Sequence, residues 1–94
     1  MSSGSMGRSG VMASSMSAVI RDDMGRHRLS GNRLAAMAGV SQNYMAKRLR
    51  DDAPLTLDDV EVISAALDVP VLALFNESAQ LAEKRRVVII RDTN

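Results

Sequence analysis

The chain has no cysteine and no tryptophan, and among its 94 residues there is one histidine, one phenylalanine, one tyrosine and two prolines. Without cysteine there is no disulfide and no thiolate metal site, which is compatible with a reducing cytoplasm. A single histidine gives no set of nitrogen ligands, so no metal is expected. No apolar run approaches the ~20 residues that span a bilayer, and the N-terminus lacks the apolar segment of a signal peptide. There is no nucleophile–base pair, metal cluster or phosphate-cradling loop, so neither an enzyme, a cofactor nor a small-molecule substrate is expected. With so few aromatics, the core of this single domain must come from Leu, Val, Ile, Ala and the seven Met. Those residues suit an all-α bundle better than a sandwich or barrel.

What is present centres on residues 30–50, SGNRLAAMAGVSQNYMAKRLR. Ser30 and Ser41 are N-cap candidates, each followed by about two helical turns, and Gly39-Val40-Ser41 forms the turn between them. Leu34, Ala35 and Ala38 share one face of the first helix. Met45 and Leu49 stack four residues apart on the second, so the two helices can pack. Ala35 permits a close crossing, and Gly39 supplies a positive φ for a sharp turn. The second helix keeps Gln42, Asn43, Ala46, Lys47 and Arg50 on an arc of roughly 140°. Two amides, two cations and one small apolar group are the types that read base edges and hold phosphates in a major groove.

A net charge of +1 conceals a segregation. Residues 21–50 carry seven Lys/Arg against Asp22 and Asp23, residues 51–83 carry eight acids and no base, and residues 84–94 carry four cations against Asp92. A basic motif beside an acidic back is the footprint of a protein that turns one face to a polyanion.

Leu34-Ala35, Ala38-Gly39-Val40-Ser41-Gln42 and Tyr44-Met45 resemble the lambda-repressor/Cro-type helix-turn-helix family of phage and bacterial regulators. Leu57-Asp58-Asp59-Val60 through Ala65-Ala66-Leu67-Asp68-Val69-Pro70 is similar to that family's fourth and fifth helices, and the likeness spans roughly residues 17–75. It implies a five-helix bundle that binds double-stranded DNA, with the start of the second motif helix in the groove. Bases would be read by Gln42, Asn43, Ala46 and Lys47. Phosphates would be held by Arg28, Asn32, Arg33, Ser41, Tyr44, Arg48 and Arg50. Two positions depart from the family pattern. Gly31 stands where a clamping Gln is common, so the clamp is absent or moved to Asn32. Arg48 stands where a buried aliphatic is usual, so either Arg48 lays its stem on the core and extends its head to a phosphate, or Leu49 rotates inward instead.

Along the chain, residues 1–16 are poor in core-forming groups and read as a disordered arm. Residues 17–76 read as the helix-turn-helix domain and residues 77–94 as a C-terminal extension. Helix 1 is expected from residue 15 or 17 to residue 27, with Met16, Val19, Ile20 and Met24 inward and His27 at its end. Thr56 caps helix 4, with Asp59 in the capping-box position, and Leu57, Val60, Ile63 and Leu67 form its buried face. Pro70 opens a short helix 5 over residues 71–75, closed on the bundle by Leu72, Leu74 and Phe75, with a polar continuation over residues 76–84. Val87, Val88, Ile89 and Ile90 are four consecutive β-branched residues and read as a short strand. That strand could pair across a two-fold axis to make a homodimer, lie as a tail on its own domain, or receive a different protein. The functional expectation is a small phage-type repressor or Cro-like regulator acting by promoter occupancy. The alternative is an antitoxin-like module that binds a partner protein through the strand, and a third possibility is an architectural DNA-bending factor.

Overall fold

The structure, a computed structural model, describes residues 7–92, with side chains described through residue 86. Five helices follow one another: α1 (Val11–Arg26), α2 (Gly31–Ala38), α3 (Gln42–Leu49), α4 (Leu57–Leu67) and α5 (Val71–Asp92). No strand occurs among the described residues. The all-α expectation holds, and the C-terminal strand is replaced by helix.

Met16, Ile20 and Met24 face inward from α1 with Val19 beside them. They meet Leu34 and Ala35 of α2, Met45 of α3, Val60, Ile63 and Leu67 of α4, and Leu74 of α5 in one core. The helix boundaries follow local chemistry. Ser30 Oγ accepts the Arg33 N–H, and Ser41 Oγ accepts the Tyr44 N–H. Gly39 takes the left-handed conformation at φ 74°, so that its own N–H and that of Val40 return to the last carbonyls of α2. Thr56 and Asp59 form a reciprocal capping box at the start of α4, as the spacing predicts.

α1 begins at Val11, before the expected residue 15 or 17, and Ser15 and Met16 are buried. The serines cap nothing. Ser14 and Ser17 bond back to the carbonyls of Val11 and Ser14 one turn earlier, and Arg85 of α5 donates to the hydroxyls of Ser14 and Ser15. Packing on α5 therefore supplies the helix that the local sequence does not signal, because most helical stability in proteins is tertiary.

α5 is one helix of 22 residues rather than a short one. Leu74, Ser78 and Ala82, each four apart, are buried along it, and two of those side chains are small enough for α1 to approach closely. No Gly or Pro lies between Val71 and Arg91. Extending an existing helix adds one hydrogen bond per residue, whereas a β-branched residue costs only a few tenths of a kcal/mol in propensity. The helix therefore runs through the stretch read as a strand. The side chains of Val87, Val88, Ile89 and Ile90, expected to form the dimer, lie outside the described residues. The division at residues 16 and 76 also does not follow the helices, since α1 begins within the expected arm and α5 crosses into the extension.

Two expected core residues are outside it. Leu57 is 74% exposed and Leu72 is 67% exposed. Both sit in the first turn of their helices, where the Cα–Cβ bond tilts toward the N-terminus and carries the side chain past the end of the packed face.

A Cβ on Gly31 would lie 3.6 Å from Leu49 Cδ1, an ordinary contact, and the φ of Gly31 is not positive. Gly31→Ala is therefore expected to raise stability by about 0.4–1 kcal/mol, chiefly by restricting the unfolded chain. Gly39→Ala should lower it by about 1–2 kcal/mol, because a Cβ is strained at φ 74°. Urea midpoints at unchanged slope would check both, and a stabilised Gly39→Ala would contradict the turn geometry.

Candidate nucleic-acid interface

α2 and α3 form the helix-turn-helix. The face of α3 turned from the core presents Gln42, Asn43 and Lys47 exposed to solvent, with Ala46 half-buried between them. Asn43 and Lys47 are four apart, as are Gln42 and Ala46, so these side chains make adjoining rows. They are the four expected base readers, brought together on one face.

The inner face of α3 is held by apolar and polar contacts. Met45 is buried, and Leu49 packs beside Gly31 and the core. Of the two alternatives for the departures, Leu49 takes the core position. Arg48 turns toward α4, its guanidinium carbon 3.6 Å from the centre of the Tyr44 ring and its Nε 3.7 Å from Asp59 Oδ2. The Tyr44 hydroxyl donates to Asp59 Oδ1 at 2.8 Å. Asp59 Oδ2 also accepts the Thr56 N–H at 2.9 Å. One buried carboxylate thus starts α4 and holds two side chains of α3. Arg48 Nε is buried and lacks a hydrogen bond, since 3.7 Å exceeds hydrogen-bonding reach.

The far end of α3 is held by α1. Arg21 Nη1 donates to the Leu49 carbonyl and lies 3.8 Å from Asp51 Oδ2. Ser17 Oγ donates to Asp51 Oδ1 at 2.6 Å. Asp51 itself sits at φ 66° as the chain leaves the helix.

These contacts divide the basic segment in two. Arg21, Arg26, Arg48 and Arg50 are paired, with Asp51, with Asp22 and Asp23, with Asp59, and with Asp52 respectively. Among the described residues, the exposed side chains of Arg28, Arg33 and Lys47 form no ion pair. Of the seven expected phosphate ligands, Arg28, Asn32 and Arg33 are exposed and uncommitted by side chain. Ser41 serves as the α3 cap, and Arg50 shares an exposed pair with Asp52. Tyr44 and Arg48 are committed inward. Local sequence marks Asp59 only as a cap, and it gives no sign of the roles of Ser17, Arg21 and Asp51. The capping-box spacing marked Asp59, but nothing local reveals a partner 15 residues away. Among the described residues no cluster of side chains could hold a metal.

The fold is similar to that of solved regulator structures. The clp gene regulator ClgR from Corynebacterium glutamicum gives a TM-score of 0.76 at 16% identity, covering 87% of each chain. The wild-type restriction-modification controller protein C.Esp1396I gives 0.70 at 22% identity, covering 78% of this chain and 95% of that one. A point mutant of the same controller gives 0.69 at 20% identity, covering 78% and 97%. At these identities the likeness establishes the fold. No protein-family model matches the chain, and no curated protein does.

Tyr44 is the only tyrosine, so its ionisation can be followed by ultraviolet absorbance without interference. Its hydroxyl is held above the ordinary tyrosine value by the hydrogen bond to Asp59, then by burial and the Asp59 charge, with Arg48 opposing. A raised folded value means that the folded state binds this proton more tightly. The associated stability is therefore complete below about pH 10 and is lost as pH rises through the folded value. The native tyrosinate transition should lie above that of the urea-unfolded chain, and Asp59→Asn should lower it. Equal transitions in the two states would mean that the Tyr44–Asp59 bond does not form.

Proposed function

We propose that this chain is a sequence-specific, double-stranded-DNA-binding transcriptional regulator of the lambda-repressor/Cro type, acting by occupying a promoter. The observation that carries this reading is the division of labour on α3. Its inner side chains are committed to the bundle, while Gln42, Asn43 and Lys47 stand exposed on one face. The structural likeness to two regulators supports the same reading. In it, Gln42 and Asn43 read base edges, Ala46 admits a thymine methyl, and Lys47, Arg28 and Arg33 meet phosphates, helped by Asn32, Ser41 and Arg50. The protein is a binder rather than an enzyme, and no helix among the described residues is long and apolar enough to cross a membrane.

A single small module covers only ~600–1,000 Å² of protein surface on DNA, so two copies on two half-sites suit the reading. The route through a C-terminal strand is gone, and with it the form of the antitoxin alternative that relied on a strand edge. Exposed apolar side chains elsewhere are the candidates for contact with a second copy. Leu57 borders a cleft of about 200 Å³ with Met12, Leu55 and Phe75. Val71 and Leu72 are exposed one turn before Phe75 on α5. Replacing both Leu57 and Leu72 with Glu should convert a sedimenting dimer to monomer while the melting temperature stays near that of wild type. An unchanged dimer would place the interface elsewhere.

Selection of bound sequences from random duplexes should return a discrete motif. Gln42→Ala and Asn43→Ala should each cost about 1–3 kcal/mol of base discrimination, whereas Lys47→Ala or Arg33→Ala should weaken all duplexes alike and make the salt dependence shallower by about one unit of slope. A Gln42→Ala loss that is the same on selected and scrambled DNA would remove Gln42 from the readers.

A further inference from the structure

The carboxylate of Asp59 belongs to two elements at once. It caps α4, accepting the Thr56 N–H, and it reaches α3 through Tyr44 and Arg48. Tyr44 and Arg48 are one turn apart, so the two contacts run along the axis of α3 beside the apolar row of Met45 and Leu49. An apolar row alone is a weak rotational stop, because dispersion and burial are non-directional. A 2.8 Å hydrogen bond to a carboxylate fixed by its own cap is directional.

Resting on the proposed reading of α3 as the base-reading helix, we infer that Asp59 is a positioning residue for base recognition, setting the rotation of α3 through Tyr44 and Arg48. With side chains reaching about 5–6 Å from the axis, a rotation of ~20° moves their tips by about 2 Å. That is enough to take an amide from hydrogen-bonding distance to beyond it. A residue on α4 thereby selects which bases Gln42 and Asn43 can reach. The cost of the arrangement points the same way. Arg48 leaves Nε buried and unbonded, and a well-packed apolar side chain would avoid that penalty.

The test compares wild type with Tyr44→Phe, Asp59→Asn and Arg48→Met, each below its own melting temperature. Affinity is measured for the wild-type-selected duplex, its single-base variants and a scrambled duplex across a range of salt. The expected result is that scrambled-duplex affinity and the salt slope stay near wild type, while the ratio of selected to scrambled affinity falls about tenfold and preferences opposite Gln42 and Asn43 change. Tyr44→Phe removes one hydroxyl and leaves the fold its ring, so it decides the matter if Asp59→Asn does not fold. Lower melting temperatures with an unchanged ratio would reduce the cluster to a stability role and overturn the inference. Equal losses on both duplexes with a shallower salt slope would also overturn it, by making Arg48 a phosphate ligand. Wild type selecting no sequence would overturn the functional reading itself, separately from any behaviour of the variants.

Discussion

α3 is eight residues long. Helices of that length are marginal on their own, because the first turn fixes several residues for a single hydrogen bond. The rest of the bundle is arranged so that such a helix exists and points one way. Ser41 closes its first turn, Met45 and Leu49 seat it on α2 and the core, Arg21 from α1 takes the Leu49 carbonyl, and Asp59 from α4 holds its inner polar side. Three helices thus meet one short helix, and each binds it by a different kind of contact. What they leave free is the face of Gln42, Asn43 and Lys47.

The same contacts explain how a nearly neutral chain can still present a basic surface. Four of the seven cations of the basic segment are taken up by carboxylates: Asp22 and Asp23 within the segment, Asp51 and Asp52 in the turn after α3, and Asp59 on α4. The pairs differ in how readily they can be exchanged. Arg50–Asp52 is exposed, and pairs of that kind contribute only about 0–1 kcal/mol, so the proposed exchange of Asp52 for a phosphate would cost Arg50 little. Arg48–Asp59 is largely buried, with Arg48 stacked on the Tyr44 ring, and removing either partner would leave the other poorly compensated. The electrostatic footprint is therefore smaller and better defined than the seven cations suggest. It rests on Arg28, Arg33 and Lys47, none of which has a competing acid among the described residues.

Where contacts are local, the chain could be read directly. The caps at Ser30, Ser41 and Thr56, the left-handed Gly39, and the inward rows of α1 and α4 all depend on neighbours within four residues and on helical period. Their geometry follows from those neighbours. Three features did not follow from such patterns. The early start of α1 depends on α5, some 70 residues later, through Arg85 and the serines. The helical state of the β-branched tail depends on an unbroken helix arriving from Val71, which outweighs a weak strand preference. The exposure of Leu57 and Leu72 follows from where an otherwise regular pattern begins, because the first turn of a helix projects its side chains beyond the packed face. Arg48 was the most informative mismatch. An ionisable residue where an aliphatic was expected signalled a rearranged inner face, and the rearrangement needed Asp59 to complete it.

That pairing bears on how one fold can serve different sites. Chains with 16–22% identity share this backbone with TM-scores of 0.69–0.76, so the bundle tolerates replacement of most of its side chains. Core apolar contacts permit this because volume-conserving exchanges are mild. A carboxylate that both starts α4 and orients α3 is far less tolerant. Asn at Asp59 has one acceptor oxygen where the carboxylate has two, so it could keep the Thr56 N–H bond or the Tyr44 hydroxyl bond but not both, and it would lose the charge that faces Arg48. Glu would keep the charge but lengthen the reach on both sides. The cap and the helix orientation are thereby locked to one residue type, and changing the angle of α3 would require Tyr44, Arg48 and Asp59 to change together while the surrounding core stays as it is.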